Sequence, residues 1–479
     1  MSADAFRIDQ VSVQGFRCFD RLDLQLDPSL TVLVANNGEG KTALLEALCV
    51  TLGPYVSAFD EGKDYPIALS DIRLLRSTPE DNTMEMVESG ARVEARGVMG
   101  QGAGAGPEMH PGDCAWRRER RGGKSTTTRK DARALSDYGK ALQARVRQEA
   151  SAGAARDSAV VLPVVAYYDT GRLWHVRRRS RQLKRTSRMV GYARCLEAGT
   201  DYQLLADWLR YWSINSWRQR IEAEQAGRRY QPGFFEDALG VVREAVDRCL
   251  GQATGWYGVD YSAARDDLVA QHPDHGELPV AMLSDGIRSM FALVADIAFR
   301  MVKLNPGLGQ QAAGATPGVV LIDEIDMHLH PAWQQQVVEM LQAAFPRVQF
   351  VVTTHSPQVL TTVDCQHIRV LESIHETETG GTRIGLRTPD TQSRGAPSPD
   401  ALRHVMGVDP RPDVEEVRKL DRYQYLVESN GAESEEAQAL RQELVAHFGA
   451  HHPLIYECDN LLRRKQLQQR LRGAQGQHP

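Results

Sequence analysis

A glycine-rich segment at residues 35–42 has the residue types and spacing of a loop that binds phosphate groups. It reads Ala-Asn-Asn-Gly-Glu-Gly-Lys-Thr and departs from the usual pattern only at Ala35, where glycine is common. Glycines let backbone N–H groups turn toward phosphate oxygens, and the start of the next helix adds positive potential. We predict that Lys41 reaches the β and γ phosphates and that Thr42 places its hydroxyl on Mg²⁺. The predicted triphosphate-binding residues of this loop are Asn36, Asn37, Gly38, Glu39, Gly40, Lys41, Thr42 and Ala43.

Two carboxylates follow a short apolar run at residues 318–322. This pattern predicts a buried strand that ends in Asp323 and Glu324, at the edge of a parallel sheet where open α/β folds bind their ligands. We predict that Asp323 holds Mg²⁺, directly or through water, and that Glu324 orients and deprotonates the attacking water. His355 follows the next apolar run, at residues 348–352, and is placed to contact the γ-phosphate.

A polar turn, Leu-Ser-Asp-Gly-Ile-Arg at residues 283–288, opens a long helical pattern. Ser284 or Asp285 would cap that helix, and Gly286 removes side-chain bulk from its first turn. By itself the turn is equally typical of an ordinary helix start. Its position between the phosphate loop and the acidic strand gives it a second interpretation, as part of a nucleotide site.

Hydrophobic periodicity indicates the elements that must position these residues. Strand-like alternation over residues 6–34 ends in an apolar run before the phosphate loop, and a helix with an apolar face follows the loop. Further buried strands are predicted at 160–168, 319–322 and 348–352. Helices are predicted at 132–152, 201–225, 233–250, 286–304 and 332–345, and in a tail at 398–406, 413–428, 433–448 and 455–472. An α/β fold is therefore expected.

Composition excludes several classes of protein. The 479 residues include 57 basic and 62 acidic side chains, so the net charge of −5 argues against a basic coat for nucleic acid. The seven cysteines include no Cys-x-x-Cys pair, which argues against zinc ribbons and disulfide frames and fits a reducing cytosol. No apolar run approaches the length of a membrane span, so we expect a cytoplasmic protein without a membrane partner.

One segment is strongly basic although the chain is acidic. Residues 172–188 carry eight basic side chains and no acidic one. Contact with DNA or RNA phosphates and a solvated flexible loop are both open interpretations. The nucleic-acid contacts would be Arg177, Arg178, Arg179, Arg181, Lys184 and Arg185. A weaker basic run at residues 117–130 is interpreted as a loop. Trp208, Trp212 and Trp217 have near-helical spacing and are expected in the core of a helical insert.

The order of these motifs resembles the SMC, RecF and OLD branch of ABC-type ATPases. The segment Phe-Arg-Cys-Phe at residues 16–19 is also similar to the N-terminal Phe-Arg element of that branch. The resemblance implies an ABC-type ATPase head, with a mixed sheet around the phosphate-loop core, a helical insert and a C-terminal helical module. It implies that Ser284 and Gly286 of one subunit cap the γ-phosphate bound at Lys41 of another. ATP, Mg²⁺ and a head-to-tail homodimer or higher oligomer are then expected.

Four parts of the chain are predicted on this basis. They are an N-terminal lobe of the head with the phosphate loop at 1–170, the basic segment and helical insert at 171–262, a C-terminal lobe with the signature, the acidic strand and the His355 strand at 263–395, and a helical module at 396–479.

A narrower resemblance connects the chain to bacterial defence. Tyr-Tyr-Asp-Thr-Gly-Arg at residues 167–172, Asp-Glu-Ile-Asp-Met-His-Leu-His-Pro at residues 323–331 and the helical tail resemble the PtuA-type ATPases of Septu systems and of related retron systems. That resemblance implies an ATPase that regulates a separate HNH-type nuclease or other effector against phage. A retron reverse transcriptase and its msDNA are further partners that it implies. No nuclease activity is expected in this chain.

Two alternative functions come from other members of the same branch. A RecF-like ATPase would act in DNA repair directly on DNA. An OLD-like protein would be an ATP-dependent nuclease with a Toprim domain, but the acidic segment at residues 427–433 lies between two helical patterns and not at a strand end. The 243 residues from Lys41 to Ser284 are largely strand-like or loop-like, so long coiled-coil arms of the SMC type do not fit.

Overall fold

A computed structural model describes most of the chain and divides it into two compact units. The described residues are 6–76, 84–99, 114–123, 125–152, 160–172, 187–197, 202–375, 382–429 and 431–475. The first unit is Met1–Met406 and the second is Gly407–Pro479. All the predicted ATP-site residues lie in the first unit.

Fifteen strands occur among the described residues, and they form four sheets. In chain order they are β1 Arg7–Phe16, β2 Phe19–Gln25, β3 Leu30–Ala35, β4 Leu74–Arg76, β5 Met84–Met86, β6 Ala91–Val98, β7 Cys114–Arg120, β8 Val164–Tyr168, β9 Tyr257–Ser262, β10 Asp267–His272, β11 Gly276–Pro279, β12 Gly318–Ile322, β13 Val348–Thr354, β14 Ile368–His375 and β15 Thr382–Arg387.

A six-stranded mixed sheet forms the centre of the first unit. Its order is β15-β14-β3-β13-β12-β8, and every neighbouring pair is parallel except β14 and β15. All residues of β3, β8, β12 and β13 are buried, as is typical of strands covered on both faces. Thr354 lies opposite Val34, and Ile322 lies opposite both Val352 and Tyr168. The carboxyl ends of these four strands therefore meet at one edge.

Three smaller sheets are antiparallel. The first has the order β2-β1-β6-β7, and burial alternates along β2 and β6 because one face packs on the core. The second, β11-β10-β9, was not predicted as a sheet from the sequence. The third is a hairpin of β4 and β5.

Fourteen α-helices occur in the described residues. They are α1 Lys41–Val56, α2 Arg133–Ala152, α3 Tyr202–Gln225, α4 Phe234–Val246, α5 Gln252–Thr254, α6 Asp285–Leu304, α7 Ala312–Ala315, α8 Pro331–Gln334, α9 Val337–Ala344, α10 Pro357–Leu360, α11 Ser398–Asp400, α12 Glu415–Glu428, α13 Glu435–Phe448 and α14 Pro453–Gln475.

Helix α6 is the buried centre of the helical part of the first unit. All its residues except Asp285 and Arg288 are buried, so other parts of the unit cover the helix on nearly every side. Trp208 and Trp212 of α3 pack on Phe299 of α6, with ring centroids 6.2 and 5.7 Å away. These two tryptophans belong to the core as predicted, whereas Trp217 is 36% exposed.

The α/β class is confirmed, as are the mixed sheet around the phosphate loop, the helical insert and the C-terminal helices. One helix prediction was wrong, because residues 332–345 form α8 and α9 with a break between them. The break lies at Gln336, where the φ of −120° departs from helical geometry although the apolar spacing continues through it.

The second unit consists of α12, α13 and α14 around a small apolar cluster that includes Leu420, Tyr423, Leu444 and Ile455. Residues 401–405 instead contribute to the core of the first unit. The four-part division of the chain stays a prediction. In the part of the chain that the structure describes, no helix has both the length and the apolar character needed to cross a bilayer.

Candidate nucleotide-binding site

The phosphate loop connects β3 to α1 in the conformation that its glycines allow. Gly38 and Gly40 have φ values of +86° and +91°, a region that favours glycine. A side chain at Gly40 would also overlap the Sγ atom of Cys18, so only glycine fits there. Ala35 keeps a negative φ, which explains why alanine is tolerated at the first position of the motif.

Lys41 lies inside this loop. Its side chain is 7% exposed, and Nζ donates a hydrogen bond of 2.8 Å to the carbonyl oxygen of Ala35. Burial lowers the pKa of Lys41, while the nearby carboxylates of Asp323 and Glu324 oppose that shift. A phosphate group beside Nζ would favour the charged form in the same way, so the loop suits an anion.

The acidic strand end lies directly beside the phosphate loop. Thr42 donates from Oγ1 to Asp323 Oδ2 over 2.6 Å, although 281 residues separate the two. The other carboxylate oxygen of Asp323 accepts a bond of 2.5 Å from Thr353 Oγ1. The same Thr353 oxygen accepts the backbone N–H of Glu324 at 2.7 Å. Thr353 therefore fixes both acidic residues, a contribution that the sequence had not indicated.

Sheet order explains this network. Strand β13 lies between β3 and β12, so Thr353 near its carboxyl end stands between the phosphate loop and Asp323. Asp323 is 1% exposed, and a carboxylate that is so buried requires such hydrogen bonds. Among the described residues there is no group of three or more His, Cys, Asp or Glu arranged for a metal ion. The residues that suit Mg²⁺ are instead the hydroxyl of Thr42 and the carboxylate of Asp323, which lie beside a phosphate-binding loop.

Glu324 has a strained backbone. Its φ of +46° lies in the left-handed region, which is costly for a residue with a side chain. The Thr353 hydrogen bond to its N–H helps to hold it there. Such strain often accompanies a functional position because the fold must hold the side chain in one place. The side chain is half-buried at the sheet edge, next to Asp323.

His355 and Asp326 are joined at the same edge. Asp326 Oδ1 accepts hydrogen bonds from Thr354 Oγ1 at 2.5 Å and from the His355 N–H at 3.4 Å. Asp326 therefore orders the turn that carries His355. The structure brings Lys41, Thr42, Asp323, Glu324 and His355 to one edge of the sheet, as the sequence predicted.

The remaining loop residues have different surroundings. Asn36 and Asn37 are exposed, whereas the side chain of Ala43 is buried. Glu39 connects the loop to the sheet, because its carboxylate accepts the N–H groups of Asn36 at 2.8 Å and of Ser373 in β14 at 3.3 Å. That these loop residues contact a nucleotide stays a prediction.

A group of charges behind the loop was missed by sequence reasoning. Arg17 pairs with Glu46 of α1 and donates from Nε to Asp71 Oδ1 over 2.9 Å. The second oxygen of Asp71 accepts the backbone N–H of Ala68 at 2.8 Å. The two oxygens of Asp71 thus hold Arg17 and the local turn. Burial raises the pKa of Glu46, and the charge of Arg17 opposes the shift.

The signature turn faces outward. Ser284 caps α6 without a side-chain hydrogen bond to the helix and is exposed, as is Asp285. Asp285 accepts a 2.5 Å hydrogen bond from Arg288. Gly286 is buried, and a side chain there would overlap the carbonyl oxygen of His328. The start of α6 is thus packed against the loop that follows Glu324, while Ser284 remains accessible.

The predicted nucleic-acid contacts Arg177, Arg178, Arg179, Arg181, Lys184 and Arg185 lie outside the described residues. The end of that segment has a structural role, because the Arg188 guanidinium donates to the carbonyl oxygens of Leu304 and Val160, both at 2.7 Å. The weaker run that was interpreted as a loop begins in β7. There Arg118 is fully buried and makes two hydrogen bonds, of 2.7 and 2.9 Å, to Asp64.

Two protein-family models match the chain. Residues 10–224 match a model described as "AAA domain". Residues 256–361 match one described as "AAA domain, putative AbiEii toxin, Type IV TA system". The two matched segments contain the phosphate loop and the acidic strand, respectively.

Curated relatives include a retron protein and a Septu protein. The chain is 40% identical over 204 residues to the "Retron Ec83 probable ATPase" of Escherichia coli. This match covers 42% of this chain and 35% of that protein. The chain is 36% identical over 153 residues to the "Septu protein PtuA" of Bacillus mycoides (strain KBAB4). That match covers 32% of this chain and 20% of the relative. The matches thus span about a third or less of these relatives.

Among solved structures, an SMC head bound to the C-winged helix domain of ScpA aligns with 80% of this chain and 98% of its own. The TM-score is 0.43 and the sequence identity is 15%.

Proposed function

We propose that this chain hydrolyses ATP to regulate a partner in bacterial defence against phage, because it matches an AAA-domain model and is similar to a retron probable ATPase and to a Septu protein. The proposed reaction converts ATP and water to ADP and phosphate. The similarity supports an ATPase of this defence-associated type, and the reaction and the partner are the further steps of the proposal.

One observation carries the proposal. The Thr42 hydroxyl lies 2.6 Å from the Asp323 carboxylate, which joins the phosphate loop to the acidic strand. Bound Mg²⁺ would neutralise charge on the β and γ phosphates, and Thr42 and Asp323 supply oxygen atoms of the kind that hold it. A chance glycine-rich turn has no reason to end beside a buried carboxylate.

The proposed roles of the other residues follow from their positions. Lys41 and the backbone N–H groups of the loop bind the phosphates, and the positive end of α1 adds to the attraction. Glu324, held by its left-handed backbone, orients a water molecule and accepts its proton. His355, positioned through Asp326, contacts the γ-phosphate.

A complete site is proposed to need two copies of the chain. Ser284 is exposed at the start of α6, so a second copy can approach it. Pairing head to tail would place Ser284 and Gly286 of one copy against the phosphates held by Lys41 of the other. ATP would then favour the paired state, because its γ-phosphate makes contacts there that a single copy cannot make.

The proposed partner is an HNH-type nuclease or another effector, with a retron reverse transcriptase and its msDNA as further candidates. This proposal extends what the names of the relatives say, and those relatives are matched over part of their length only. We also propose a cytoplasmic location and no nuclease activity in this chain. Mg²⁺-dependent cleavage of DNA by the purified chain alone would contradict the last point and favour an OLD-like nuclease.

The substitution E324Q tests the proposed reaction. It keeps the shape of the side chain but removes the base, so we expect kcat for phosphate release to fall by about a hundredfold or more while ATP still binds. Light scattering should show that ATP then stabilises a dimer. E339Q, which changes an exposed glutamate of α9, is the control and should keep normal turnover. Normal turnover in E324Q would contradict the assignment of the base.

A further inference from the structure

Tyr167 carries a buried hydroxyl whose surroundings differ from those of other buried tyrosines. Its side chain is 3% exposed, and among the described residues nothing forms a hydrogen bond with Oη. By contrast, Tyr168 and Tyr192 each donate a hydrogen bond of 2.7 Å, to Asp296 and to the carbonyl oxygen of Pro163. Burying a hydroxyl without a hydrogen bond is costly, and phenylalanine would fill the same space without that cost. The Tyr167 hydroxyl therefore indicates a partner such as a bound water molecule.

The strand register places Tyr167 on the face of the sheet that carries the candidate metal ligands. Strand β8 runs parallel to β12, with Tyr167 opposite Leu321. The Asp323 N–H donates to the carbonyl oxygen of Tyr168 over 2.7 Å, so the pairing continues one residue beyond β12. Residues two apart on a strand share a face, so Tyr167 and Asp323 both point toward α1, where Asp323 meets Thr42. Tyr168 points the other way, toward α6.

One side of α1 borders Tyr167. Thr42, Glu46 and Cys49 are spaced by four and three residues, so they lie along one side of that helix. Burial raises the pKa of Tyr167, and the Cys49 thiol raises it further. The carboxylates of Asp323 and Glu46 act in the same direction. The hydroxyl thus lies between this side of α1 and the Asp323 carboxylate, and it keeps its proton at neutral pH.

We propose that Tyr167 positions the Mg²⁺ that Thr42 and Asp323 hold, because its hydroxyl oxygen accepts a hydrogen bond from a water molecule bound to the ion. This role rests on the proposed function and adds a residue to the same site. Mg²⁺ usually keeps several water ligands in proteins, and the groups around those ligands orient them. Contact through water suits Tyr167, since carboxylates, carbonyls and water are better ligands for Mg²⁺ than a neutral phenol is.

The test compares nucleotide affinity with and without the metal. Isothermal titration would measure the binding of the non-hydrolysable β,γ-imido analogue of ATP, once with Mg²⁺ and once with EDTA. The ratio of the two affinities reports how much the metal contributes to binding. We expect Y167F to lower this ratio by about tenfold, as is usual when a group that orients a metal ligand is lost, and to leave the affinity in EDTA unchanged.

Y192F is the matched control because it also removes the hydroxyl of a fully buried tyrosine. It loses the hydrogen bond to Pro163, so its midpoint of denaturant unfolding should fall while its Mg²⁺ ratio stays normal. Y167F should keep the midpoint of the unmodified protein or exceed it, since it breaks no hydrogen bond among the described residues. The two midpoints therefore distinguish a role at the metal from a role in the fold alone.

A double variant tests whether Tyr167 acts through the metal. D323N removes the carboxylate that is proposed to hold Mg²⁺, so it should lower the ratio by itself, and Y167F should add little to that loss. A normal ratio in Y167F, an equal loss of affinity in EDTA, a lower unfolding midpoint or full additivity with D323N would overturn the role of Tyr167. If Mg²⁺ gives the unmodified protein no gain in affinity, the proposed metal site itself fails, a result that Y167F alone cannot produce.

Discussion

The two halves of the candidate site differ in how completely one chain builds them. In the phosphate-loop half, Lys41, Thr42 and Asp323 are held by hydrogen bonds within the chain. In the signature half, Ser284 is exposed and makes no side-chain cap bond. The first half is ordered before any ligand arrives, whereas the second presents an accessible helix start to its surroundings.

This difference indicates how the halves respond to substitution. Residues in the ordered half belong to a network, so a change there affects nucleotide binding within a single chain. A change in the signature half should affect the site only when a second copy of the chain is present. Gly286 and His328 connect the two, because the start of α6 packs on the loop that follows Glu324.

The largest effect is expected from K41A, which breaks the ordered half. Lys41 is the cation inside the loop, and its loss removes a charge-assisted contact to phosphate. We expect ATP affinity to fall by about a hundredfold or more, equivalent to ~3 kcal/mol. Isothermal titration would measure it, with K140A, which changes an exposed lysine of α2, as the control. Unchanged affinity would refute the assignment of the phosphate loop.

The contact between the halves is tested by G286A. The added methyl group meets the carbonyl oxygen of His328, so the loop or the helix must move. We expect the free energy of unfolding to fall by about 1–3 kcal/mol and hydrolysis to weaken as the loop after Glu324 shifts. G240A in α4, where a methyl group meets nothing, should instead gain up to about 1 kcal/mol. Equal effects of the two substitutions in denaturant unfolding would argue against the contact.

The smallest change in stability is expected from E324G, and its sign is informative. Glycine adopts a φ of +46° without strain, so the free energy of unfolding should rise by about 1 kcal/mol while hydrolysis is lost. E324Q is the matched control, because it loses the base but keeps the strain and should gain no stability. A loss of stability in E324G relative to E324Q would show that the strain is not stored at this residue.

Much of the ordered half could be predicted from the sequence. The phosphate loop and the Asp323–Glu324 pair each combine a local motif with an apolar strand, and both signals are contained in a few consecutive residues. The carboxyl ends of parallel strands then had to meet at one edge. The predicted neighbourhood of Lys41, Thr42, Asp323 and His355 follows from those two facts.

Other features had no local signal. Thr353 lies within a β-branched run, where threonine is an ordinary strand residue, so its bridge between Asp323 and Glu324 is visible only in the folded sheet. Arg17 and Asp71 are separated by 54 residues, and only the fold brings them together. The left-handed backbone of Glu324 is likewise imposed by the structure around it.

The central claim is that one ATP is held by the phosphate loop of one copy and the signature of another, and mixing two inactive variants tests it most directly. K41A damages the first half and S284R the second, so each alone should lack an intact composite site. In a mixed dimer both defects fall in one site and the other site is intact. An equimolar mixture should therefore recover about a quarter of the unmodified ATPase activity, since about half of the dimers are mixed and each has one intact site of two. A mixture no more active than the two variants measured separately would contradict the claim.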